Sequence, residues 1–276
     1  MLAHEFMRNA LVAGTSIGCA CGLVGYFLVL RAQVFAGDAL SHVAFTGALA
    51  AAVLGVGILA GLFAATIAGG VAMGLLGEHA RADDATIGSL FAWSLGLGVL
   101  FLSIFVRDQS AGNGTAGVRV LFGSIFALDT TAVEKAVLLG ALASALQLAL
   151  ARPLLFASLD EEVAAARGVP IRALGLLFLA LVGLVAAEAT QAVGVLLLLG
   201  LLAAPAGAAH RLTANPYRGL VLSTLFAVGA VWVGLAASYE LPRLPPSSGI
   251  VAAAVGGYGL VLAATSAPGI VRRYCS

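Results

Sequence analysis

The sequence predicts an all-α fold, a polytopic transmembrane helical bundle of eight or nine spans. Hydrophobic residues fill 61% of its 276 positions, and the mean hydropathy is +1.07. Charged residues make up only 10%, against about 25% in a soluble domain, so polar side chains cannot cover a globule of this size. Apolar runs of about 20 residues recur between the charges, and none alternates with period two, which argues for helices and against a β-barrel. The same composition excludes a soluble enzyme and a disordered chain. A net charge of +1 with a single lysine, Lys135, leaves no basic patch for nucleic acid.

The first run, 10–30, follows a segment with no basic stretch and no small-residue cleavage site, so it reads as a retained span and not a signal peptide. Gly14, Gly18 and Gly22 recur along it at every fourth position, and Gly70 and Gly74 repeat the spacing in the third run. Small residues so spaced let helix backbones approach closely in lipid. Because glycine occurs in most of the runs, we expect packing within the chain more than a dimer stripe. Cys19 and Cys21 point about 200° apart on a helix, so with Cys275 they form no chelate or disulfide framework.

The second run, 38–55, opens on Gly37-Asp38, and only Gly55-Val56-Gly57 separates it from the third, 58–77. The fourth, 86–106, follows Asp83-Asp84, expected as a solvated loop or the acidic start of a helix. The fifth spans 130–150. The sixth and seventh, 172–188 and 192–210, are split only by Glu188–Gln191, expected at the outer face. Pro205 interrupts the seventh and invites a kink, while His210 and Arg211 sit where a helix C-terminus favours cations. Runs 217–237 and 248–266 complete the set.

Nine spans give a consistent charge asymmetry. One side receives Arg31, Arg81, Arg152, Arg167, Arg172, Arg211, Arg218, Arg272 and Arg273; the other receives Arg8, Arg107, Arg119, Lys135 and Arg243. The arginine-rich side is expected in the cytoplasm, with the N-terminus outside.

No phosphate-binding loop is possible around the only lysine, and no Gly-x-Gly-x-x-Gly opens a helix. The four histidines are scattered and make no nucleophile triad. The chain is therefore expected not to be an enzyme and to bind no cofactor of its own. Uphill transport would draw on an ion gradient or a partner chain.

Ionisable groups at membrane depth are costly and mark substrate or ion paths. Asp38 and His42 lie four residues apart, on one helical face. A carboxylate with an imidazole suits a borderline divalent cation, although Asp38 could equally be an N-cap and His42 a packing residue. The longest polar segment, 157–170, reads as a short helix over about 158–168. Ser158 would be its N-cap, with Glu161 in the capping box, Asp160, Glu161 and Glu162 at its acidic start, Arg167 in its last turn and Gly168 as its stop. Such a helix either docks a cytoplasmic partner or simply connects two spans.

Taken in order, these stretches resemble a known family. They are Leu30–His42, Asp83–Gly88, Leu121-Phe122-Gly123-Ser124, Leu159–Ala164 leading to Gly168-Val169, Gln191–Gly194, Leu201–Ala206, and Ser238-Tyr239 ahead of Pro245–Gly249. The whole chain, as a single permease domain, is similar to the permease subunit of bacterial ABC transporters for divalent metals, the zinc, manganese and iron uptake family. The resemblance implies a multi-pass protein of the bacterial inner membrane and a permease homodimer. It implies that the permease takes a zinc, manganese or iron cation from an extracytoplasmic metal-binding protein and is driven by a cytoplasmic ATP-binding subunit. On this resemblance Asp38 and His42 match the metal pathway, and Asp160–Gly168 match the helix that couples to the ATPase; Pro205 and His210, from the kink and its place in the span, are expected as a second pathway or gate. The chain departs from the family at Phe45-Thr46-Gly47, so its second helix is expected to lack a kink, and at Pro205-Ala206-Gly207. A proton-coupled secondary transporter is the competing expectation; it would show a paired repeat with ionisable residues in both halves.

Overall fold

The computed structural model describes residues 4–77, 83–108, 125–195, 198–241 and 243–266. His79, Cys275 and the Leu121–Ser124 stretch lie outside the described residues. The helices are α1 (Glu5–Leu30), α2 (Val34–Val53), α3 (Ile58–Leu76), α4 (Asp84–Asp108), α5 (Thr130–Leu159), α6 (Glu161–Ala166), α7 (Ile171–Val193), α8 (Leu198–Leu212), α9 (Pro216–Glu240) and α10 (Pro246–Ser266), with one 3-10 turn at Ile125–Ala127. No strand occurs among the described residues. The all-α bundle is as expected.

Eight of these helices are long and apolar enough to cross a membrane. The exception among the expected spans is α8, whose described part is 15 residues, about 22 Å against the roughly 30 Å hydrocarbon core. It nevertheless runs between the two ends of the bundle. At one end of the bundle Tyr26 of α1 stacks on His210 of α8, and Gly219 of α9 abuts the Tyr26 ring. At the other, Phe6 meets Phe126, and His4 approaches Tyr239 of α9. Because α7 starts at the first end and α9 starts there again, α8 must carry the chain back. Gly194 ends α7 at φ 87°, a conformation that L side chains avoid.

Helix α1 is the hub. Most of it is buried, as is most of α7, whereas α4 and α10 expose most of their surface. Its glycine ladder faces α9: a methyl on Gly22 would meet the Thr224 Cα at 2.6 Å, and one on Gly18 the Val228 Cα at 3.3 Å. The Ser223 hydroxyl donates to the Gly22 carbonyl across this crossing at 2.6 Å. Gly70 and Gly74 likewise face α7 at Leu179 and Leu176. The spacing therefore serves packing within the chain, where close backbone contact replaces the hydrophobic drive that lipid removes. Large apolar side chains such as Trp93, Leu138, Val233 and Leu260 face outward, the pattern of a bundle solvated by lipid.

Two boundaries differ from the sequence reading. α2 begins at Val34, not at 38. The chain turns out of α1 through Ala32 at φ 55°, and Gln33 N–H closes the turn onto the Leu28 carbonyl at 2.8 Å. Second, α5 runs on to Leu159 through Pro153, past the charge at Arg152 where the apolar run had been ended.

Candidate cation path and coupling segment

The early start of α2 decides what Asp38 is. It stands in the second turn of the helix, so it is not the N-cap that the Gly37-Asp38 pair allowed. Asp38 and His42 are both half-buried on the side of α2 that meets α4. The His42 ring stands edge-on to Phe91 of α4, with centroids 4.8 Å apart and planes at 87°. Next to it Asp38 lines a cleft of about 400 Å3 with Phe35, Asp84, Ile87, Gly88 and Phe91. Two hydroxyls fix the α2 face around them. Ser41 donates to the Asp38 carbonyl at 2.6 Å and lies 3.3 Å from the Val195 carbonyl, and Thr46 donates to the Ser94 carbonyl of α4 at 2.7 Å.

Asp84 is the residue that sequence reasoning missed. Asp83 and Asp84 looked equivalent as the acidic start of a helix, but the structure separates them. Asp83 caps α4, its carboxylate accepting from the Thr86 N–H at 3.1 Å. The hydrogen bonds from Thr86 hold this carboxyl below the usual carboxylate range. Asp84, one residue on, lies in the first turn and lines the same cleft as Asp38. The Gly88 spacing could have flagged it, since Asp84 and Gly88 are four apart and share a face.

Among the described residues no three His, Cys, Asp or Glu side chains converge as a metal site. Asp38 and His42 are thus two donors with room beside them, not a closed cage. Such an open arrangement suits a cation that passes and not one that stays.

The remaining site residues lie elsewhere. Pro205 sits within α8 without ending it, buried against the α9–α10 side. His210, in the last turn of α8, places Nε2 3.1 Å from the Tyr26 carbonyl oxygen and stacks on the Tyr26 ring at 4.3 Å. This fastens α8 to α1; the Asp38–His42 cleft lies between α2 and α4. Glu188 and Gln191 were expected to break the chain between two spans, but both lie inside α7, and Glu188 is only 2% exposed. The cause is that α7 runs on unbroken to Val193 and carries Glu188 into the packed interior.

The polar segment is helical from Glu161 to Ala166, shorter than the expected 158–168. Ser158 is not its cap: it belongs to α5, where its hydroxyl donates back to the Leu154 carbonyl at 2.6 Å. The cap is Asp160, whose carboxylate accepts from the Val163 N–H at 3.0 Å, a bond stabilising the helix by about 1 kcal/mol. Glu161 and Glu162 follow in the first turn, and Arg167 occupies the C-cap. Gly168 at φ 84° ends the helix as expected, its N–H reaching the Ala165 carbonyl and that of Val169 the Ala164 carbonyl.

The chain is 28% identical over 236 residues to the manganese transport system membrane protein MntC of Halalkalibacterium halodurans, covering 85% of this chain and 79% of that protein. It is 28% identical over 240 residues to the chelated iron transport system membrane protein YfeD of Yersinia pestis, covering 87% and 79%. Its fold matches the solved structure of PsaBC from Streptococcus pneumoniae in complex with Fab, with a TM-score of 0.82 and 27% identity over 97% of this chain and 94% of that one. The family model described as the ABC 3 transport family matches residues 3–265. With nearly the whole chain matched and the same multi-pass helical bundle underneath it, this membrane protein belongs to the ABC 3 transport family.

Proposed function

We propose that this chain is the permease of an ABC importer, one that moves a divalent metal cation across the membrane on energy released by a separate ATP-binding subunit. The observation that carries the reading is the Asp38–His42 pair at membrane depth, beside a cleft that also holds Asp84. Relatives named for manganese and chelated iron transport support a transition-metal cargo. A carboxylate and an imidazole bind Mn²⁺, Fe²⁺ and Zn²⁺ in rising order of affinity, so the pair by itself selects none of the three.

Two donors per chain complete no coordination shell. A second copy facing the first would bring another Asp38 and His42 and give four, which favours a homodimer with the cation passing between the copies. Arginines gather at the end where α1 finishes and α9 begins, and that end is then cytoplasmic. There α6 would meet the ATPase through Glu161 and Glu162, held by the Asp160 cap and the Gly168 turn. Closure of the ATP-loaded partner would press on α6 and tilt α5 and α7, which flank it, between outward- and inward-facing arrangements. Metal would reach the opposite end from an extracytoplasmic binding protein.

The test is reconstitution. Purified permease in vesicles should take up Mn²⁺ or Zn²⁺ only with its ATPase and ATP present. Uptake that persists without the ATPase and follows a proton gradient would replace this reading with a secondary transporter.

A further inference from the structure

Among the described residues Glu188 is the one buried acid, and the transport reading leaves it without a task. It lies in α7 at 2% exposure, and neither of its carboxylate oxygens has a hydrogen-bond partner among the described residues. Room for it comes from Gly140 of α5, where a methyl group would stand 3.0 Å from Oε1 and collide with Ser16 of α1. The packing therefore holds a place for this carboxylate. In such surroundings a carboxylate is ionised only where a cation meets it.

The carboxylate lines a cavity of about 320 Å3 that runs from Leu128, at the end opposite the arginines, to Ile17 in the middle of α1. Lys135, the only lysine of the chain, is exposed and lines the same cavity, as does Gln191 one turn from Glu188. Most of the remaining lining is apolar, and Leu59 and Leu138 on its border are 45% and 70% exposed on the outer surface of the bundle. A fixed positive charge at the rim, a buried negative charge inside and walls continuous with the lipid-facing surface describe a zwitterion that carries hydrocarbon. The order of the charges matters: the anionic group belongs at Lys135 and the cationic one at Glu188.

We propose that this cavity is a binding site for a phospholipid with a primary ammonium headgroup, of the phosphatidylethanolamine type. Its ammonium donates to Glu188 and Gln191, its phosphate pairs with Lys135, and its chains lie over Leu59 and Leu138. A divalent metal fits less well, since one carboxylate and one amide are too few donors and an ammonium stands at the rim. A choline headgroup fits less well too, because a quaternary ammonium has no N–H to donate. The site is independent of the cargo reading.

The experiment compares lipids on the purified full-length protein in detergent, by native mass spectrometry and by the thermal unfolding midpoint. Phosphatidylethanolamine should be retained at least ten-fold over phosphatidylcholine of the same chains and should raise the midpoint further. Glu188→Gln should bring that preference close to one, and Lys135→Met should weaken binding of both phospholipids. Equal retention of the two lipids by the wild-type protein, which needs no variant to fold, would overturn the proposal. So would a preference that survives in Glu188→Gln. Soluble phosphoethanolamine should protect poorly; protection equal to that of the lipid would overturn the lipid as occupant.

Discussion

The hydroxyl of Thr46 in α2 donates to the carbonyl of Ser94 in α4 at 2.7 Å, one turn beyond His42, whose ring meets Phe91 on the same α4 face. This bond ties α2 to α4 beside the cleft that Asp38 lines, and the same hydroxyl lies 3.1 Å from the His42 carbonyl of its own helix. A bond of this kind between membrane helices contributes about 0.6 kcal/mol. Thr46→Val should therefore leave assembly intact and lower the unfolding midpoint only slightly. Its larger effect should be on the concentration of metal giving half-maximal uptake; an unchanged value would show that the cleft width is set elsewhere.

Asp38→Ala and His42→Ala should each lower the rate of metal uptake by on the order of ten-fold, the kinetic equivalent of about 1.4 kcal/mol. Membrane levels measured by immunoblot should stay at wild type, because both side chains are only half-buried and Asp38 borders a cleft. Asp84→Asn should give a smaller loss of the same kind. Wild-type uptake in the Asp38 and His42 variants would remove the pair from the pathway.

The α1–α9 crossing offers a stability test with an internal control. Alanine at Gly22 would press on the Thr224 backbone, whereas Gly229 has nothing within 4 Å of an added methyl. Gly22→Ala should cost about 1–3 kcal/mol through overpacking. Gly229→Ala should be neutral or slightly stabilising, since alanine is the better helix former. Thermal unfolding in detergent separates the two.

Removing the cap of α6 should uncouple docking from transport-domain stability. Asp160→Ala costs the short helix about 1 kcal/mol, enough to fray six residues. Co-purification of the ATPase should fall while the permease's own unfolding midpoint barely moves. Glu161→Lys with Glu162→Lys should weaken the complex further, and unchanged recovery of the complex in both variants would take α6 out of the interface.

Asp83 and Asp129 cap α4 and α5, and both carboxyls are held below the usual range, by hydrogen bonds from Thr86 and from Thr131 and Ala132 respectively. A depressed carboxylate contributes its stability above its ordinary pKa and loses it as the pH falls through the lower, folded value. Both helix starts should thus hold their amide protection down to the ordinary carboxylate range and lose it only below. Asp83→Asn and Asp129→Asn should flatten that acid limb in hydrogen exchange at Thr86 and Ala132; an unchanged limb would assign it to other groups.

The order of the helices was legible, and their number to within one span, because most runs of about 20 apolar residues are long enough to cross lipid and are bounded by charge or glycine. A short helix within the 157–170 segment and its Gly168 stop were legible for the same local reason, though not its cap or its bounds. Local pattern failed where tertiary packing overrode it. Ser158 has the chemistry of a cap, yet α5 runs past it, and Asp160 takes the role. The boundary expected at Glu188–Gln191 lies inside α7, which Gly194 ends instead. Asp83 and Asp84 are chemically identical neighbours, and only helix phase separates a cap from a cleft wall.

By itself the sequence determined the solvent of this protein, its helical class, the asymmetry of its basic residues and the pairing of Asp38 with His42 on one face. These follow from composition and from the 3.6-residue repeat, which act over a few turns. The tertiary structure decided what those residues meet: that the glycine ladder of α1 serves α9, that His210 stacks on Tyr26, and that Asp84 joins Asp38. It also buried Glu188 behind Gly140 in a cavity shared with the only lysine. In lipid, hydrophobicity drives helices into the membrane but does not choose their neighbours. That choice rests on close backbone contacts and single hydrogen bonds between residues as far apart in the chain as Gly22 and Ser223.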